Sequence, residues 1–278
     1  MISVHCLVDN SALRGSTLWG EHGVSFYIET PNGNLLFDTG QSGVVLLHNV
    51  TEMNIDLQKC AALALSHAHY DHTGGLECFL QHSQPGIALY ASPALFQARY
   101  AVRRDQVRSI GLKLAQTELA QRCELHLDSG PLEILPGIWT TGEILDRHEF
   151  EGRSAQHQVR ADGGWQPDPY QDDLSLVIET GQGLALVCGC CHAGLLNTLA
   201  QVRHTFQRRV ETVIGGTHLA SASPANLDQV IEVLQDVNGG KAPRLYLNHC
   251  TGERAFSLFW QAFGAQVLPC PAGTVLAL

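Results

Sequence analysis

The chain has 278 residues, 45% of them hydrophobic and 16% charged, and carries a formal net charge of −10. Disorder is excluded, because a disordered chain combines low hydrophobicity with high charge. An acidic chain of this size is repelled by phosphate backbones, so no nucleic-acid partner is expected.

No segment holds eighteen continuous apolar residues, so no membrane span or membrane partner is expected. The opening residues, MISVHCLVDNSALRGS, lack a basic stretch followed by an apolar one, so no secretory leader is expected. Nine cysteines, an odd count in a long chain, favour reduced thiols and a cytoplasmic location.

In chain order, Ile2 to Val8 reads as a strand. Val24 to Glu29 and Leu35 to Phe37 flank the turn Pro31-Asn32-Gly33-Asn34 and read as a hairpin. A helix follows near Ser42 to Val50, with Ser42 as its cap. Cys60 to Leu65 is a buried strand that runs directly into Ser66-His67-Ala68-His69-Tyr70-Asp71-His72. Ile87 to Tyr90 is another strand. Segments at about 93–122 and 146–173 show no clear period and read as insertions or loops on a single domain spanning 1–278. Arg104 and Arg108, four apart, could share a solvated helix face. With Arg103, they could instead meet a substrate phosphate or carboxylate.

The second half repeats the theme. Leu174 to Glu179 and Leu184 to Cys188 are strands, the latter leading into Gly189-Cys190-Cys191-His192 and a helix to about Arg203. Val210 to Ile214 leads to Gly215-Gly216-Thr217-His218, where the two glycines would let backbone approach a ligand closely. A helix from about Pro224 to Val237 has Ser223 as its cap. Arg244 to Leu247 ends in Asn248-His249-Cys250. Four times, a β run ends in a histidine-bearing loop and a helix begins.

His67-x-His69-x-Asp71-His72 carries the strongest chemistry. Imidazole and carboxylate are ligands for Zn²⁺ and its neighbours. Residues two apart in an extended loop point the same way, so His67 and His69 can converge on one ion. Asp71 and His72 turn elsewhere and would serve a second. The alternative is a histidine-rich polar turn without metal. Further ligand candidates stand at other strand ends: His192, His218, His249, Cys190 and Asp173. Glu143 and His148 are candidates to reach the same place. His5, His22, His48, His82, His126, His157 and His204 read as structural or surface residues.

His67-Ala68-His69-Tyr70-Asp71-His72 resembles the metal-binding signature of the metallo-β-lactamase superfamily. Glu21-His22-Gly23, Phe37-Asp38-Thr39-Gly40, Thr141-Gly142-Glu143, Asp172-Asp173-Leu174-Ser175, Gly189-Cys190-Cys191-His192-Ala193-Gly194, Gly215-Gly216-Thr217-His218 and His249-Cys250-Thr251-Gly252 fall in order with it. Together they resemble the branch that contains the archaeal dihydropterin-condensing synthases of methanopterin biosynthesis, over nearly the whole chain.

The resemblance implies an α/β fold, the four-layer αββα sandwich of that superfamily, and a binuclear metal site at its edge. By position, His67, His69 and His192 would hold the first ion, and Asp71, His72 and His249 the second. Zn²⁺ is the expected metal, as one or two ions, with Mn²⁺ or Fe²⁺ fitting the same ligands. Where many members carry a bridging carboxylate, this chain reads Gly189-Cys190, so the bridging ligand stays open among Asp173, Cys190 and His192. Cys191, where the branch commonly has serine, is inert, redox-sensitive or a soft ligand. Asp38 resembles the superfamily's early aspartate, which orients the metal loop; capping a turn is its alternative. His218 touches substrate or is structural, and Asp71 and His218 are the catalytic candidates.

The implied activity is hydrolysis of a small ester, lactone or phosphoester by a hydroxide held at the metals. The alternatives are a transferase of the dihydropterin-condensing type acting on a phosphate-bearing substrate, and a non-catalytic metal or ligand sensor.

Overall fold

A computed structural model of the chain describes residues 1–104, 106–147 and 152–278. Strands β1 (Ser3–Val8), β2 (Ser25–Thr30) and β3 (Gly33–Phe37) precede helix α1 (Gly43–Glu52) and strand β4 (Cys60–Ala64). Short helices α2 (Tyr70–Thr73) and α3 (Leu76–His82) lead to β5 (Ile87–Ala91), β6 (Arg99–Arg103), β7 (Gln106–Ser109), α4 (Gln116–Leu119) and β8 (Cys123–Leu127). Next come β9 (Glu133–Leu135), β10 (Ile138–Thr140), β11 (His157–Ala161), β12 (Gly164–Pro167), β13 (Ser175–Glu179) and β14 (Leu184–Cys188). Helix α5 (Leu195–Phe206), β15 (Val210–Gly215), α6 (Pro224–Asp236), β16 (Arg244–Leu247) and α7 (Glu253–Phe263) then alternate before β17 (Val267–Pro269) and β18 (Val275–Ala277).

The chain divides into two compact units. The first comprises Met1–Ser129, Arg153–Asp172 and Pro271–Leu278. Its main sheet has the order β18-β1-β2-β3-β4-β5-β8. The expected hairpin is β2–β3, paired antiparallel from Phe26–Phe37 to Thr30–Gly33. From β3 onward the strands run parallel, with Phe37 opposite Ala64 and Ala64 opposite Tyr90. Helices α1 and α3 lay Leu46, Val50, Leu76 and Phe79 on a core that includes Leu36, Leu63 and Leu89. Ser42 caps α1 as expected, its hydroxyl accepting the Val45 N–H. Because β3 and β4 are parallel and in register, their C-terminal ends coincide. That is why Asp38 and the His67 loop leave the same sheet edge.

The segments expected as insertions or loops contain a second sheet of this unit, in the order β12-β11-β6-β7. Arg104 and Arg108 therefore do not share a helix. Arg108 pairs with Ala101 across a β6–β7 hairpin, and Arg104 sits at its turn with a φ of +54°. The antiparallel ladder from Tyr100–Ser109 to Arg103–Gln106 fixes these residues as a hairpin, and this cross-strand pairing wins over the four-residue spacing of the arginines.

The second unit comprises Gly130–Gly152 and Asp173–Cys270. Its sheet has the order β17-β16-β15-β14-β13-β10-β9. Strands β14, β15, β16 and β17 are parallel. Leu195, Leu199 and Val202 of α5, Leu227, Val230 and Leu234 of α6, and Ala255 and Phe259 of α7 pack with Leu186, Val213 and Leu245. Cys188 of β14 lies opposite Gly215 of β15, and Gly215 opposite Leu247 of β16. The loops holding His192, His218 and His249 thus leave one edge of one sheet. Among the described residues, no helix is long and apolar enough to cross a membrane.

Candidate metal centre

In the first unit, the extended His67–His69 segment turns into α2 immediately after His69, which has a φ of −60° and ψ of 144°. The His67 and His69 rings meet edge-on with centroids 4.5 Å apart. The helical turn brings His72 back, its centroid 4.1 Å from that of His67. Asp71 lies beside it, with Oδ2 3.7 Å from His72 Nε2. All four expected ligands of this unit are buried. The α2 turn is clamped by Thr39, whose N–H and hydroxyl donate to the His72 carbonyl at 2.7 and 3.0 Å. Glycine is required at the following positions: a Cβ on Gly74 would stand 2.1 Å from the Gln41 carbonyl, and one on Gly75 2.2 Å from that of Thr39.

Asp38 sets the imidazole protons. Its Oδ1 accepts the Ser66 N–H at 2.7 Å, and its Oδ2 accepts the Ser66 hydroxyl at 2.6 Å and His72 Nδ1–H at 2.7 Å. Ser66 has one hydroxyl proton, and it goes to Asp38. The Ser66 oxygen, 2.8 Å from His67 Nδ1, must therefore accept from that nitrogen. Both His67 and His72 are thereby fixed with the proton on Nδ1 and the basic lone pair on Nε2, the tautomer a metal ligand needs. Asp38 is fully buried and holds a φ of +58°, a strained conformation for a residue with a Cβ. It acts as the expected orienting residue, and Ser66, which sequence reasoning passed over, is its partner.

A second support lies under the loop. Asp172 Oδ2 accepts the Ala68 N–H, between His67 and His69, at 2.8 Å. Its Oδ1 faces the fully buried Arg99 guanidinium at 2.7 Å, and Asp168 meets Arg99 Nε at 3.1 Å. Arg99 also donates to the carbonyls of Ala94 and Gln97. Two carboxylates facing one guanidinium leave an excess negative charge. Burial, opposed by Arg99 and reinforced by Asp168, raises the Asp172 pKa to about 6.

Two histidines read as bland residues belong to this cluster. His157 packs edge-on against His69, with centroids 4.8 Å apart, and its Nδ1 is 2.8 Å from the Tyr170 hydroxyl. Burial lowers the His157 pKa, and it lowers that of His69 further. His22 Nε2 is 3.3 Å from Asp71 Oδ2. The Arg108 guanidinium lies 5.0 Å from the centre of the Tyr70 ring. No periodicity marks His157, because it is brought in by the β11–β6 pairing, which lies far along the chain from the motif.

In the second unit, His192 Nδ1 is 2.8 Å from the Gly152 carbonyl, which can only accept. Its proton is thus on Nδ1 and its lone pair on Nε2. Gly152 itself gave no sequence signal, yet a Cβ there would meet the Cys191 carbonyl and the His218 side chain at 2.8 Å. His218, with a φ of +49°, places its ring 4.2 Å from that of His192. Asp173 Oδ2 accepts the Ala193 N–H at 2.8 Å, holding the His192 loop as Asp172 holds the His67 loop. Cys190, His249 and Cys250 form a group whose donor atoms all lie within 4.8 Å of one another. The two glycines of Gly215-Gly216 make room for protein, not for a ligand. A Cβ on Gly215 would stand 2.1 Å from the Cys188 carbonyl, and one on Gly216 2.6 Å from Cys250 Sγ.

Cys191 separates from this group. Its sulfur is 3.4 Å from Cys188 Sγ in the apolar core, where the Cys188 hydrogen bond and burial raise its pKa well above that of a free thiol. Glu143 is anchored through its carbonyl to Gln201 of α5. His148 lies outside the described residues.

The donors fit a divalent ion. His67, His72 and His192 each carry the lone pair on Nε2, and a carboxylate stands within the first cluster and two thiols within the second. These are ligands of Zn²⁺ and the neighbouring transition metals.

The sequence profile of the metallo-beta-lactamase superfamily matches residues 18–189. The 7,8-dihydropterin-6-methyl-4-(beta-D-ribofuranosyl)-aminobenzene-5'-phosphate synthase of Methanocaldococcus jannaschii is 29% identical, over 99% of this chain and 96% of its own. The crystal structure of a metal-dependent hydrolase of the beta-lactamase superfamily superposes with a TM-score of 0.85 at 26% identity, covering 100% of this chain and 99% of the other. Zn²⁺-bound PqqB of Methylobacterium extorquens shares the fold with a TM-score of 0.59 at 12% identity, covering 99% of this chain and all of its own. The chain has the metallo-β-lactamase fold and belongs to the metallo-β-lactamase superfamily.

Proposed function

We propose that the chain is a metal-dependent hydrolase of a small molecule, acting at a binuclear centre. The observation that carries this reading is the Asp38–Ser66 relay, which fixes His67 and His72 in the metal-binding tautomer. Following the superfamily pattern, His67, His69 and His192 hold the first ion, and Asp71, His72 and His249 the second. Zn²⁺ is the favoured metal, with Mn²⁺ or Fe²⁺ as substitutes. When bound, such ions lower the pKa of a water and neutralise charge that develops on the substrate oxygen.

The chain's own residues supply orientation and substrate contacts. Asp38, Asp172 and Asp173 hold the ligand loops, so the donors need little reorganisation. Asp71, the catalytic candidate among the ligands, has Oδ2 3.3 Å from His22 Nε2, which orients the carboxylate. His218, its ring tilted against that of His192, is assigned to contact substrate. Arg108, beside Tyr70, supplies a cation for a substrate phosphate or carboxylate. The substrate class is an ester, lactone or phosphoester, and the protein works in the cytoplasm on a small molecule.

A second reading is favoured by the similarity to the M. jannaschii synthase, which runs the length of both chains. Here the same centre would join a dihydropterin to an aromatic amine bearing a ribose phosphate, the new C–N bond displacing diphosphate from the pterin's methyl carbon and the amine proton leaving to solvent. Incubation of the zinc-loaded protein with ester, lactone and phosphodiester panels, beside a dihydropterin diphosphate with an aminobenzene ribotide, separates the two. Hydrolysis abolished by His67→Ala/His69→Ala supports the hydrolase. Condensation without hydrolysis overturns it in favour of the transferase.

A further inference from the structure

We propose that Cys190 and Cys250 are metal ligands, which with His249 make the second unit's metal position a thiolate site. This rests on the metal-centre reading above and deepens it, by assigning sulfur where the superfamily pattern leaves the bridging position open.

The three residues come from the ends of parallel strands. Cys190 follows β14 by two residues, and His249 and Cys250 follow β16 by two and three. Strand β15 lies between them, and its following residue, Gly216, decides how closely they approach. A Cβ there would stand 2.5 Å from the Gly189 carbonyl and 2.6 Å from Cys250 Sγ. Glycine therefore lets the Cys250 sulfur reach the Cys190 loop, where Sγ lies 3.6 Å from the Cys190 carbonyl. The donor atoms of all three residues fall within 4.8 Å of one another. Around a tetrahedral ion, with bonds of about 2.3 Å to sulfur and about 2.0 Å to nitrogen, neighbouring donors are about 3.5–4 Å apart. Closure onto an ion thus needs only small side-chain movements.

Two further observations favour sulfur ligation. The His218 N–H points at Cys250 Sγ at 3.2 Å, a hydrogen bond that stabilises a thiolate. Asp173 commits Oδ2 to the Ala193 N–H, so that oxygen holds the loop and is not offered to the ion. Cys188 and Cys191 pack against each other in the core and are not part of the site. On binding, each thiol gives its proton to solvent and its sulfur lone pair to the ion. No oxidant is involved. Two thiolates beside an imidazole select Zn²⁺ or Co²⁺ over Mn²⁺ and Mg²⁺.

The test uses the full chain reconstituted with Co²⁺. A thiolate-to-cobalt charge-transfer band in the near ultraviolet is expected, retained in Cys191→Ser. Cys190→Ser and Cys250→Ser should each weaken it by about half, and the double variant should lose it. X-ray absorption on the zinc-loaded wild type needs no variant, and should show sulfur neighbours at about 2.3 Å. Cobalt bound at full stoichiometry with no charge-transfer band, or zinc with nitrogen and oxygen neighbours only, overturns the sulfur assignment and leaves the binuclear reading intact. A band that persists in His67→Ala/His69→Ala supports the sulfur site and places its ion apart from those histidines. No cobalt bound at all overturns both.

Discussion

Asp172 Oδ2 accepts the backbone N–H of Ala68 at 2.8 Å, inside the His67–His69 segment. One buried carboxylate therefore holds the backbone between two candidate ligands, while its other oxygen neutralises Arg99. Truncating Asp172 removes both roles and leaves the buried guanidinium with Asp168 as its remaining carboxylate. Asp168 still balances the guanidinium charge, so the main loss is the acceptor of the buried Ala68 N–H, worth about 1–3 kcal/mol. Asp172→Ala should lose about that much stability in urea unfolding, and an unchanged midpoint would show that the contact holds nothing.

Asp38 has no role as a ligand in this account; it sets tautomers. Asp38→Asn keeps a residue that tolerates positive φ but offers one acceptor where two oxygens now take three donors. Loss of such an outer partner typically weakens metal binding by about 10–100-fold. Competition against a chromophoric chelator should show that weakening, with native circular dichroism retained. Unchanged affinity would remove Asp38 from the mechanism.

The metal-free protein should lose stability on acidification. His69 and His157 have lowered pKa values in the folded state because both are buried. The unfolded chain takes up protons at these sites from about pH 6.5 downward, and the folded chain does not. Their stabilising contribution is complete above that value and is lost as the pH falls below it. Asp172 opposes them, since its raised value of about 6 lets the folded state bind a proton first. Urea midpoints at pH 8, 7, 6 and 5 should fall with pH, and less steeply in His157→Gln. An identical slope in that variant would contradict the burial argument.

Much of this was legible in the chain. Asn32-Gly33 marked the β2–β3 hairpin, Ser42 and Ser223 marked helix starts, and each strand ending in a histidine loop could be read from an apolar run. The His67-x-His69-x-Asp71-His72 spacing announced a ligand cluster, although the return of His72 onto His67 depends on a helical turn that an extended reading misses. What stayed hidden depends on long-range pairing. Asp172 is 104 residues from Ala68, and His157 is delivered by β11 pairing with β6. The arginine spacing suggested a helix because four-residue periodicity is a local signal, whereas the hairpin is fixed by its cross-strand partners. Gly152 was silent because its two roles, a carbonyl that accepts from His192 and the lack of a Cβ beside His218, are set by residues far along the chain.

Metal content per chain tests the central claim most directly. Protein purified without added metal, then reconstituted with zinc and dialysed, is compared with His67→Ala/His69→Ala by elemental analysis. The account predicts about two ions per wild-type chain, with substantial loss in the variant. Equal metal in both proteins, or none in either after reconstitution, would contradict it.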